Sequence, residues 1–235
     1  EMCIEGISAR LAREFYTHIA GAPTRLQEST RYVDCTDFDY TVPVSIRGES
    51  SESLYVNTMG LIASAVERLE GTGVKREDAA MLLPLGMHTK MVDKRNLRNL
   101  IEMFHQRLCV RAYWEYRDLM KLIKEELSKL SEEWRYIAEH YFVPKCEYFG
   151  WCPEIKGCKK YPTKEEQKKY IQESAKLAYR ALGCFGFSRV DFMMDKDSGE
   201  IVINEINAIP GFTSISMFPM LMQAAGMTYP EIVER

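Results

Sequence analysis

Residues 25–31 read Arg-Leu-Gln-Glu-Ser-Thr-Arg, and two later stretches read Arg-Val-Asp-Phe (189–192) and Asn-Glu-Ile-Asn (204–207). The first stretch places acceptors, a hydroxyl and a fixed cation within one turn or strand end, which suits a phosphate or a uracil-like carbonyl. The later stretches place hard oxygen donors on neighbouring strand ends, as Mg²⁺ sites built around ATP phosphates require. The residue types alone favour a solvated polar loop and two surface acids. The wider sequence is therefore needed to decide whether these stretches are functional sites.

Length and composition indicate a globular protein of one or two domains. The chain has 235 residues, of which 46% are hydrophobic and 28% charged, and this composition argues against disorder. The net charge of −3 gives no basic surface for nucleic acid. No apolar run reaches the roughly 18 residues needed to span a membrane, and no signal peptide is visible, so no membrane contact is expected. The first residue is Glu1 rather than Met, which suggests a fragment of a longer chain.

The seven cysteines are scattered and odd in number in an enzyme-like chain, which favours reduced thiols and a cytoplasmic protein. The one cluster is Cys146, Cys152 and Cys158, whose members are separated by five residues. Zinc sites usually use pairs about two to four residues apart. Ordinary thiols are therefore the favoured interpretation, and a metal site is the alternative.

Hydrophobic periodicity predicts a mostly helical first part. The residues Ile7, Leu11, Phe15 and His18 lie at helical spacing, which predicts a helix over 5–18. A short strand or extended loop is predicted over 33–44. Further helices are predicted at 51–71, 75–81, 85–130 (one long helix or two) and 131–140.

A stretch rich in Pro, Gly and Cys at 143–163 places a domain boundary at about residue 162. Thr163 and Glu166 form a capping-box pattern that opens the next helix. Two strands joined by a turn-rich hairpin loop and a final helix are expected after it. The predicted elements are a helix to about 182, strands at 187–194 and 201–205, a loop at 195–199 and a helix at 219–225. The expected fold class is α/β (α+β), with domains 1–162 and 163–235.

Four segments carry a resemblance over most of residues 3–135. They read Gln-Glu-Ser-Thr-Arg-Tyr-Val (27–33), Met-Leu-Leu-Pro-Leu (81–85), Lys-Arg-Asn-Leu-Arg-Asn-Leu (94–100) and Arg-Ala-Tyr-Trp-Glu (111–115), with Arg107 between the last two. In this order and spacing they resemble the flavin-dependent thymidylate synthases. The resemblance implies reductive methylation of dUMP to dTMP with methylene-tetrahydrofolate, FAD and NADPH. It also implies a homotetramer with active sites shared between subunits.

The same resemblance assigns residues to roles. It implies that Glu28, Ser29 and Arg31 bind the nucleotide and that Arg107 orients the uracil ring. It also implies that His18, Asn96 and Arg98 bind the cofactor. The flavin supplies the hydride and no protein nucleophile is required, so the protein contributes orientation and electrostatics. We expect a long central helix to carry Asn96, Arg98 and Arg107.

The first part departs from the family in its phosphate-binding arginines. The Arg-His-Arg that opens the family's motif is Thr-His-Ile at 17–19, and Ala80 stands where the family usually has a nucleotide-binding arginine. Each lost charge-assisted hydrogen bond costs roughly 1.5–3 kcal/mol. Arg25 or Arg13 is a possible substitute, and activity is expected to be impaired.

Residues 181–192, 204–213 and 229–231 resemble the end of the D-alanine–D-alanine ligases, which are ATP-grasp enzymes. The resemblance covers nearly all of 165–235. It implies that Asp191, Glu205 and Asn207 are Mg²⁺ ligands and that Arg189 is a catalytic arginine that contacts phosphate. It also implies that Gly211 supplies a backbone donor to the tetrahedral intermediate and that Ser216 holds the second substrate's carboxylate.

The upstream half of an ATP-grasp fold, with its adenine pocket, is missing from residues 1–162. We therefore expect a partial ATP-grasp module that does not ligate by itself. Without ATP, the two acids Asp191 and Glu205 are expected to repel each other with no compensating cation. The apolar face of the hairpin, which carries Val190, Phe192, Ile201 and Ile203, is expected to lack its usual cover.

Three hypotheses follow for the whole chain. The first is a thymidylate synthase-like methyltransferase acting on dUMP with a folate co-substrate. The second, from another enzyme class, is a fragment of an ATP- and Mg²⁺-dependent ligase of cell-wall synthesis. The third is a non-catalytic nucleotide- or flavin-binding module. A natural fusion, an assembly artefact and a built chimera all remain open as the origin of the two-part chain.

Overall fold

The computed structural model describes residues 1–19, 23–195, 200–213 and 215–234, so most of the predicted hairpin loop lies outside the described residues. The chain forms two compact units, which comprise residues 1–144 and 145–235. Both contain helices, and each has its own small antiparallel sheet, so the mixed helix-and-sheet class is confirmed. None of the helices in the described part of the chain has the length and hydropathy needed to cross a membrane.

The first unit packs helices against a three-stranded antiparallel sheet with strand order β1-β3-β2. The strands are β1 (Met2–Ser8), β2 (Thr24–Gln27) and β3 (His88–Lys94). The helices are α1 (Ala9–Phe15), α2 (Glu49–Gly71), α3 (Arg76–Ala79), α4 (Leu97–Arg107), α5 (Trp114–Ser128) and α6 (Glu132–Tyr141), with single 3-10 turns at Val44–Ile46 and Ala80–Leu82. The segment predicted as a strand or extended loop over 33–44 is a loop with one isolated bridge at Tyr40.

The predicted first helix at 5–18 is wrong over its first turn, which belongs to strand β1. The strand bulges around Gly6, whose φ of 68° favours glycine. Ser8 then ends the strand and begins α1, because its Oγ accepts a hydrogen bond from the backbone N–H of Leu11 at 3.0 Å. The change of structure is therefore local, and the residues predicted to face the core are buried.

The prediction of helix throughout 85–130 is wrong near its start, where residues 88–94 form strand β3. Strand β3 precedes α4 and α5, and its residues Thr89, Met91 and Asp93 alternate inward. Two of those three inward residues are polar, so apolar periodicity does not reveal the strand. The helices of the segment are confirmed, as is the predicted helix at 131–140.

The core of the first unit lies between the sheet and helices α1, α4, α5 and α6. The rings of Phe104 and Phe142 stack at a centroid distance of 3.9 Å. The expected long central helix is wrong, because α4 has only 11 residues and Asn96 caps it from outside. Its last residue is Arg107, which therefore lies where the helix meets α1.

Helix α2 is long but only narrowly packed. It has 23 residues, and Met59 and Val66 are its buried hydrophobic residues. Leu54 and Leu61 are 70% and 72% exposed. One apolar face of α2 is thus uncovered within the first unit.

The second unit is built on an antiparallel hairpin. Its helices are α7 (Lys145–Phe149), α8 (Lys164–Ala181), α9 (Met217–Ala224) and α10 (Tyr229–Val233), and its strands are β4 (Arg189–Met194) and β5 (Ile201–Asn207). The predicted capping box is confirmed: the Thr163 side chain accepts from the Glu166 N–H, and the Glu166 carboxylate accepts from the Thr163 N–H. The predicted strand pair and the predicted helix at 219–225, which is α9, are confirmed as well, and α10 follows them.

The apolar face of the hairpin is only partly covered. Val190, Phe192 and Ile201 are half-buried, and Ile203 is 47% exposed. Helix α8 packs on both strands. The second unit by itself therefore leaves hairpin surface open, as expected for a module without its usual neighbour.

Candidate active sites

Arg107 is held at the end of α4 by contacts with α1 and the residues after it. Its Nε donates to Nε2 of His18 at 2.8 Å, and its Nη2 donates to Oγ1 of Thr17 at 3.2 Å. Its Nη1 lies 3.4 Å from the Glu14 carboxylate, and the guanidinium carbon lies 4.6 Å from the centre of the Tyr116 ring. The predicted uracil-orienting arginine is thus fixed in direction.

His18 is 9% exposed and forms part of this arrangement. Burial, and to a lesser extent the positive charges of Arg107, Arg95 and Arg25, together lower the pKa of His18 from 6.5 to about 4. Because Nε2 accepts from Arg107, the proton of the neutral ring lies on Nδ1. Near neutral pH, His18 is therefore an uncharged acceptor for Arg107 and not a cation.

The lowered pKa of His18 predicts that the free energy of unfolding depends on pH. The folded-state pKa lies below the unfolded value, so the unfolded chain takes up a proton first as the pH falls. The contribution of His18 to stability is complete above pH 6.5 and is lost as the pH falls to about 4. The full shift corresponds to roughly 3 kcal/mol, and we expect about 2 kcal/mol because solvent reaches part of the ring.

The measurement is the free energy of unfolding by urea at several pH values, for the wild type and for His18→Gln. Other groups titrate in both proteins, so the difference between the two curves isolates His18. The wild type should lose about 2 kcal/mol more than the variant between pH 6.5 and pH 4. Parallel curves would contradict the buried neutral histidine.

A buried carboxylate lies next to this arrangement. Asp93 on β3 has no exposed surface, and Arg95 contacts both of its oxygens, with Nε 2.5 Å from Oδ2 and Nη2 2.7 Å from Oδ1. Arg25 reaches Oδ1 through its Nε at 3.3 Å. The Nη1 of Arg95 also donates to Oδ1 of Asn99 at 2.8 Å. One buried carboxylate therefore links β2, β3 and α4.

Arg25 is fully engaged inside the protein. Its Nη1 donates to the carbonyl oxygen of Tyr16 at 2.9 Å, and its Nη2 donates to that of His18. Its side chain is 6% exposed. Arg25 is thus not available to replace a phosphate-binding arginine, whereas Arg13 is exposed on α1.

Sequence reasoning missed Asp93 and Arg95 as members of the site. Both stand just before the predicted flavin-binding pair, and Arg95 lies within the segment 94–100 that carries the resemblance, but neither was assigned a role. The available signal was an aspartate at an inward position of a short alternating strand, and reading it required the strand itself to be recognised.

The predicted nucleotide-binding residues lie in the loop after β2. The Glu28 N–H donates to the carbonyl oxygen of Lys90 at 2.9 Å, which continues the sheet. Ser29 Oγ accepts from the Arg31 N–H at 3.4 Å. The Arg31 Nε lies 2.8 Å from the Glu77 carboxylate on α3, with both side chains largely exposed. All three predicted residues are thus on the surface of one protomer.

The predicted flavin-binding pair lies at the start of α4. The amide oxygen of Asn96 caps the helix by accepting from the Asn99 N–H at 2.8 Å. Arg98 is exposed in the first turn. A guanidinium and an amide N–H₂ group are donors that suit the phosphate and carbonyl oxygens of a flavin nucleotide.

The predicted residues of the first unit form three separate groups. His18 contacts Arg107, whereas the loop at 28–31 carries the predicted nucleotide-binding residues and the start of α4 carries the predicted flavin-binding pair. Within the described ranges of the first unit, no hydrogen bond or ion pair joins one group to another. Direct contacts among the described residues therefore do not by themselves bring the whole predicted set together.

In the second unit the predicted metal ligands converge. Asp191 lies opposite Glu205 across the hairpin, and Arg189 lies opposite Asn207. The Arg189 guanidinium binds Asp191 through Nε–Oδ1 at 2.9 Å and Nη2–Oδ2 at 2.7 Å, and it reaches Glu205 at 3.3 Å. The Asn207 amide donates to the same Glu205 oxygen at 3.3 Å. All four side chains therefore meet on one face of the hairpin.

The expectation that Asp191 and Glu205 repel each other without a compensating cation is wrong, because Arg189 contacts both carboxylates. Its guanidinium is the compensating cation, and the hydrogen bond from it lowers the pKa of Asp191 below the usual value. The donor set of two carboxylates and an amide suits Mg²⁺, which prefers oxygen ligands. Among the residues with a described position, no three His, Cys, Asp or Glu side chains form a metal-binding cluster.

Gly211 and Ser216 lie together in the loop before α9. The Ser216 Oγ accepts from the Thr213 N–H at 3.0 Å and lies 2.8 Å from the Thr213 hydroxyl. A Cβ atom added at Gly211 would stand 3.1 Å from the Ser216 Oγ. The close approach favours glycine, and it brings the predicted backbone donor next to the predicted carboxylate-binding hydroxyl.

Comparison with protein families identifies both parts of the chain. A family model described as "Thymidylate synthase complementing protein" matches residues 1–131. A second, described as "D-ala D-ala ligase C-terminus", matches residues 101–235. The two matches overlap at 101–131, which covers the end of α4 and all of α5.

Curated relatives were found for the second part. A D-alanine--D-alanine ligase of Chlorobium phaeovibrioides is 58% identical over 71 residues, which is 30% of this chain and 20% of the relative. That of Acetivibrio thermocellus is 51% identical over 71 residues, or 30% and 19%. The vancomycin/teicoplanin A-type resistance protein VanA of Enterococcus faecium is 51% identical over 70 residues, or 30% and 20%. The chain spans about a fifth of the length of these relatives.

Proposed function

The chain belongs both to the thymidylate synthase complementing protein family and to the family of D-ala D-ala ligase C-termini, and from this we propose that its first part is a flavin-dependent thymidylate synthase protomer. The proposed domain covers residues 1–162, and the ligase-like module covers 163–235. The proposed boundary lies beyond the division between the compact units at residue 144, because it is placed at the end of the stretch rich in Pro, Gly and Cys at 143–163.

The proposed reaction is the reductive methylation of dUMP to dTMP with methylene-tetrahydrofolate and NADPH. The observation that carries it is the fixed direction of Arg107, which three acceptors hold from one side. The side chain remains 21% exposed. A guanidinium that is oriented by the protein but still accessible suits a planar ligand with carbonyl acceptors, such as uracil.

The remaining residues take positioning and binding roles in this proposal. Glu28, Ser29 and Arg31 hold the nucleotide, and His18, Asn96 and Arg98 hold the flavin. FAD, when bound, supplies the hydride, and the protein residues orient the substrate and stabilise charge. The neutral His18 contributes the acceptor for Arg107.

A homotetramer would join these groups. No direct hydrogen bond or ion pair among the described residues joins the loop at 28–31, the start of α4 and Arg107, and the family resemblance implies shared active sites, so neighbouring subunits are proposed to complete each site. The exposed Leu54 and Leu61 of α2 offer apolar surface for such contacts. We place the protein in the cytoplasm, as the family resemblance implies.

The test uses the purified full chain. Bound flavin is detected by its absorbance, dUMP binding by calorimetry, and dTMP formation by assay with NADPH and methylene-tetrahydrofolate. We expect all three, with slow turnover because Ala80 stands where a phosphate-binding arginine is usual. Flavin or dUMP binding without turnover would select a non-catalytic binding module, and binding of neither would overturn the proposal.

The second candidate function belongs to the module at 163–235. Its support is the convergence of Asp191, Glu205 and Asn207 around Arg189, together with the ligase relatives. In this proposal the three residues hold Mg²⁺, and Arg189 contacts phosphate. Gly211 donates its backbone N–H to the tetrahedral intermediate, and Ser216 holds the carboxylate of the second substrate. The module is a partial ATP-grasp fold, so we propose that it does not form D-alanyl-D-alanine alone.

A titration of the full chain with Mg²⁺ and ATP should therefore show no saturable binding in the micromolar range. Mg²⁺ keeps several waters and few protein ligands, so the nucleotide must be held elsewhere for the ion to bind tightly. The control is Glu205→Gln, whose weak heats should match those of the wild type. Micromolar binding that this substitution abolishes, or dipeptide formation, would contradict the prediction.

A further inference from the structure

We propose that Asp93 is a positioning residue for Arg107, acting through Arg25 and His18 on one side and through Arg95 and α4 on the other. The proposal concerns the direction of the Arg107 guanidinium. Its consequence for substrate rests on the proposed function, because dUMP is the ligand that Arg107 is proposed to orient.

The first connection runs from Asp93 to the end of α1. Asp93 fixes Arg25 through a carboxylate contact at 3.3 Å, and Arg25 donates to the carbonyl oxygens of Tyr16 and His18. Both carbonyls follow the last residue of α1, where helical partners run out. The Arg25 fork therefore sets the path of the backbone that carries His18.

The second connection runs from His18 to Arg107. With the backbone held, the His18 ring meets the edge of Tyr116 at a centroid distance of 5.8 Å and accepts from the Arg107 Nε at 2.8 Å. The ring has two neighbours that restrict it and is nearly buried. A shift of the backbone at His18 would therefore move the acceptor away from Arg107.

The third connection runs through α4. Arg95, bound to both Asp93 oxygens, donates to Asn99 in the first turn of the helix and to the sulfur of Met103 at 2.8 Å in the next. Arg107 is the last residue of the same helix. Asp93 thus fixes the helix that bears Arg107 as well as the acceptor that aims its side chain.

Charge explains why an aspartate is needed at this point. Arg25 and Arg95 bring two positive charges into the interior, and Asp93 supplies the negative charge between them. The forked guanidinium groups each use the carboxylate and a second acceptor, which a lysine could not reproduce. An ion pair with only a structural role would hold the fold together without a selective effect on Arg107.

The experiment measures the Arg107 Nε–H directly by nitrogen-15 NMR of the full chain. Asp93→Asn is expected to speed exchange of this N–H with solvent by about tenfold, since the hydrogen bond to His18 is weakened. Lys94→Gln is the matched control, because Lys94 is the exposed neighbour on the same strand, and it should leave the rate unchanged. Titration with dUMP is run in parallel.

Three further variants keep the test decisive if Asp93→Asn does not fold. Arg25→Lys keeps the charge but loses the fork, and it should also raise the exchange rate about tenfold. His18→Gln keeps an acceptor and should restore slow exchange relative to His18→Leu. An Arg107 N–H that exchanges as slowly in folded Arg25→Lys or Asp93→Asn as in the wild type would overturn the inference. Slow wild-type exchange without dUMP binding would instead overturn the proposed function alone.

Discussion

Asp93→Asn is expected to lower the free energy of unfolding of the first unit by about 3–5 kcal/mol. The carboxylate is fully buried, with Arg95 on both oxygens and Arg25 on one. The amide keeps the shape but removes the charge, and it replaces one acceptor oxygen with an N–H₂ group that faces guanidinium donors. Two buried cations then lack a counterion.

The measurement is denaturant unfolding of the full chain, with the transition of residues 1–144 identified by amide exchange in β3. Separate assignment is needed because two compact units can unfold independently. Lys94→Gln, on the same strand but exposed, should change the free energy by less than about 0.5 kcal/mol. A loss below about 1 kcal/mol for Asp93→Asn would show that water or rearrangement relieves the two arginines.

Arg107→Ala is expected to weaken dUMP binding by about 10- to 150-fold, with less than about a twofold effect on flavin. The guanidinium is proposed to contact the uracil ring, and a hydrogen bond to a charged group contributes roughly 1.5–3 kcal/mol. The variant also leaves His18 without its donor, so the comparison of two ligands in one protein is needed to separate binding from folding.

Arg98→Ala is the reciprocal control. Arg98 is exposed in the first turn of the same helix, so its loss should leave the fold intact. We expect it to weaken flavin binding more than dUMP binding, opposite to Arg107→Ala. Calorimetric titrations of both variants with both ligands give the comparison. Equal losses of the two ligands in Arg107→Ala would show that Arg107 is misassigned or that the fold is damaged.

Elements with local signals were predicted correctly. The capping box at Thr163 and Glu166 and the strand pair of the second unit depend on contacts between residues close in sequence. The convergence of Asp191, Glu205 and Asn207 follows from that pairing, since the register of a hairpin sets which side chains share a face. The counterion role of Arg189 was not predicted, although it lies on the same strand.

Elements that depend on distant partners were predicted poorly. Strand β3 pairs with β1 and β2, whose residues lie more than 60 positions away in the chain, as Asp93 shows with its partners Met2 and Arg25. A strand that buries a carboxylate between two arginines has no apolar alternation to reveal it. The first turn of the predicted helix at 5–18 was wrong for the same reason, because pairing with β3 outweighs the local helical pattern.

The sequence by itself determined that this protein has two parts, which families they belong to and which local elements build the second part. Those features depend on residue identity and short-range order, and both can be read along the chain. Only the tertiary structure decided that His18 accepts from Arg107, that Arg25 is locked inside and that Asp93 joins them. Partners 68 and 89 positions apart determine these contacts, and the low dielectric of the interior gives them their strength.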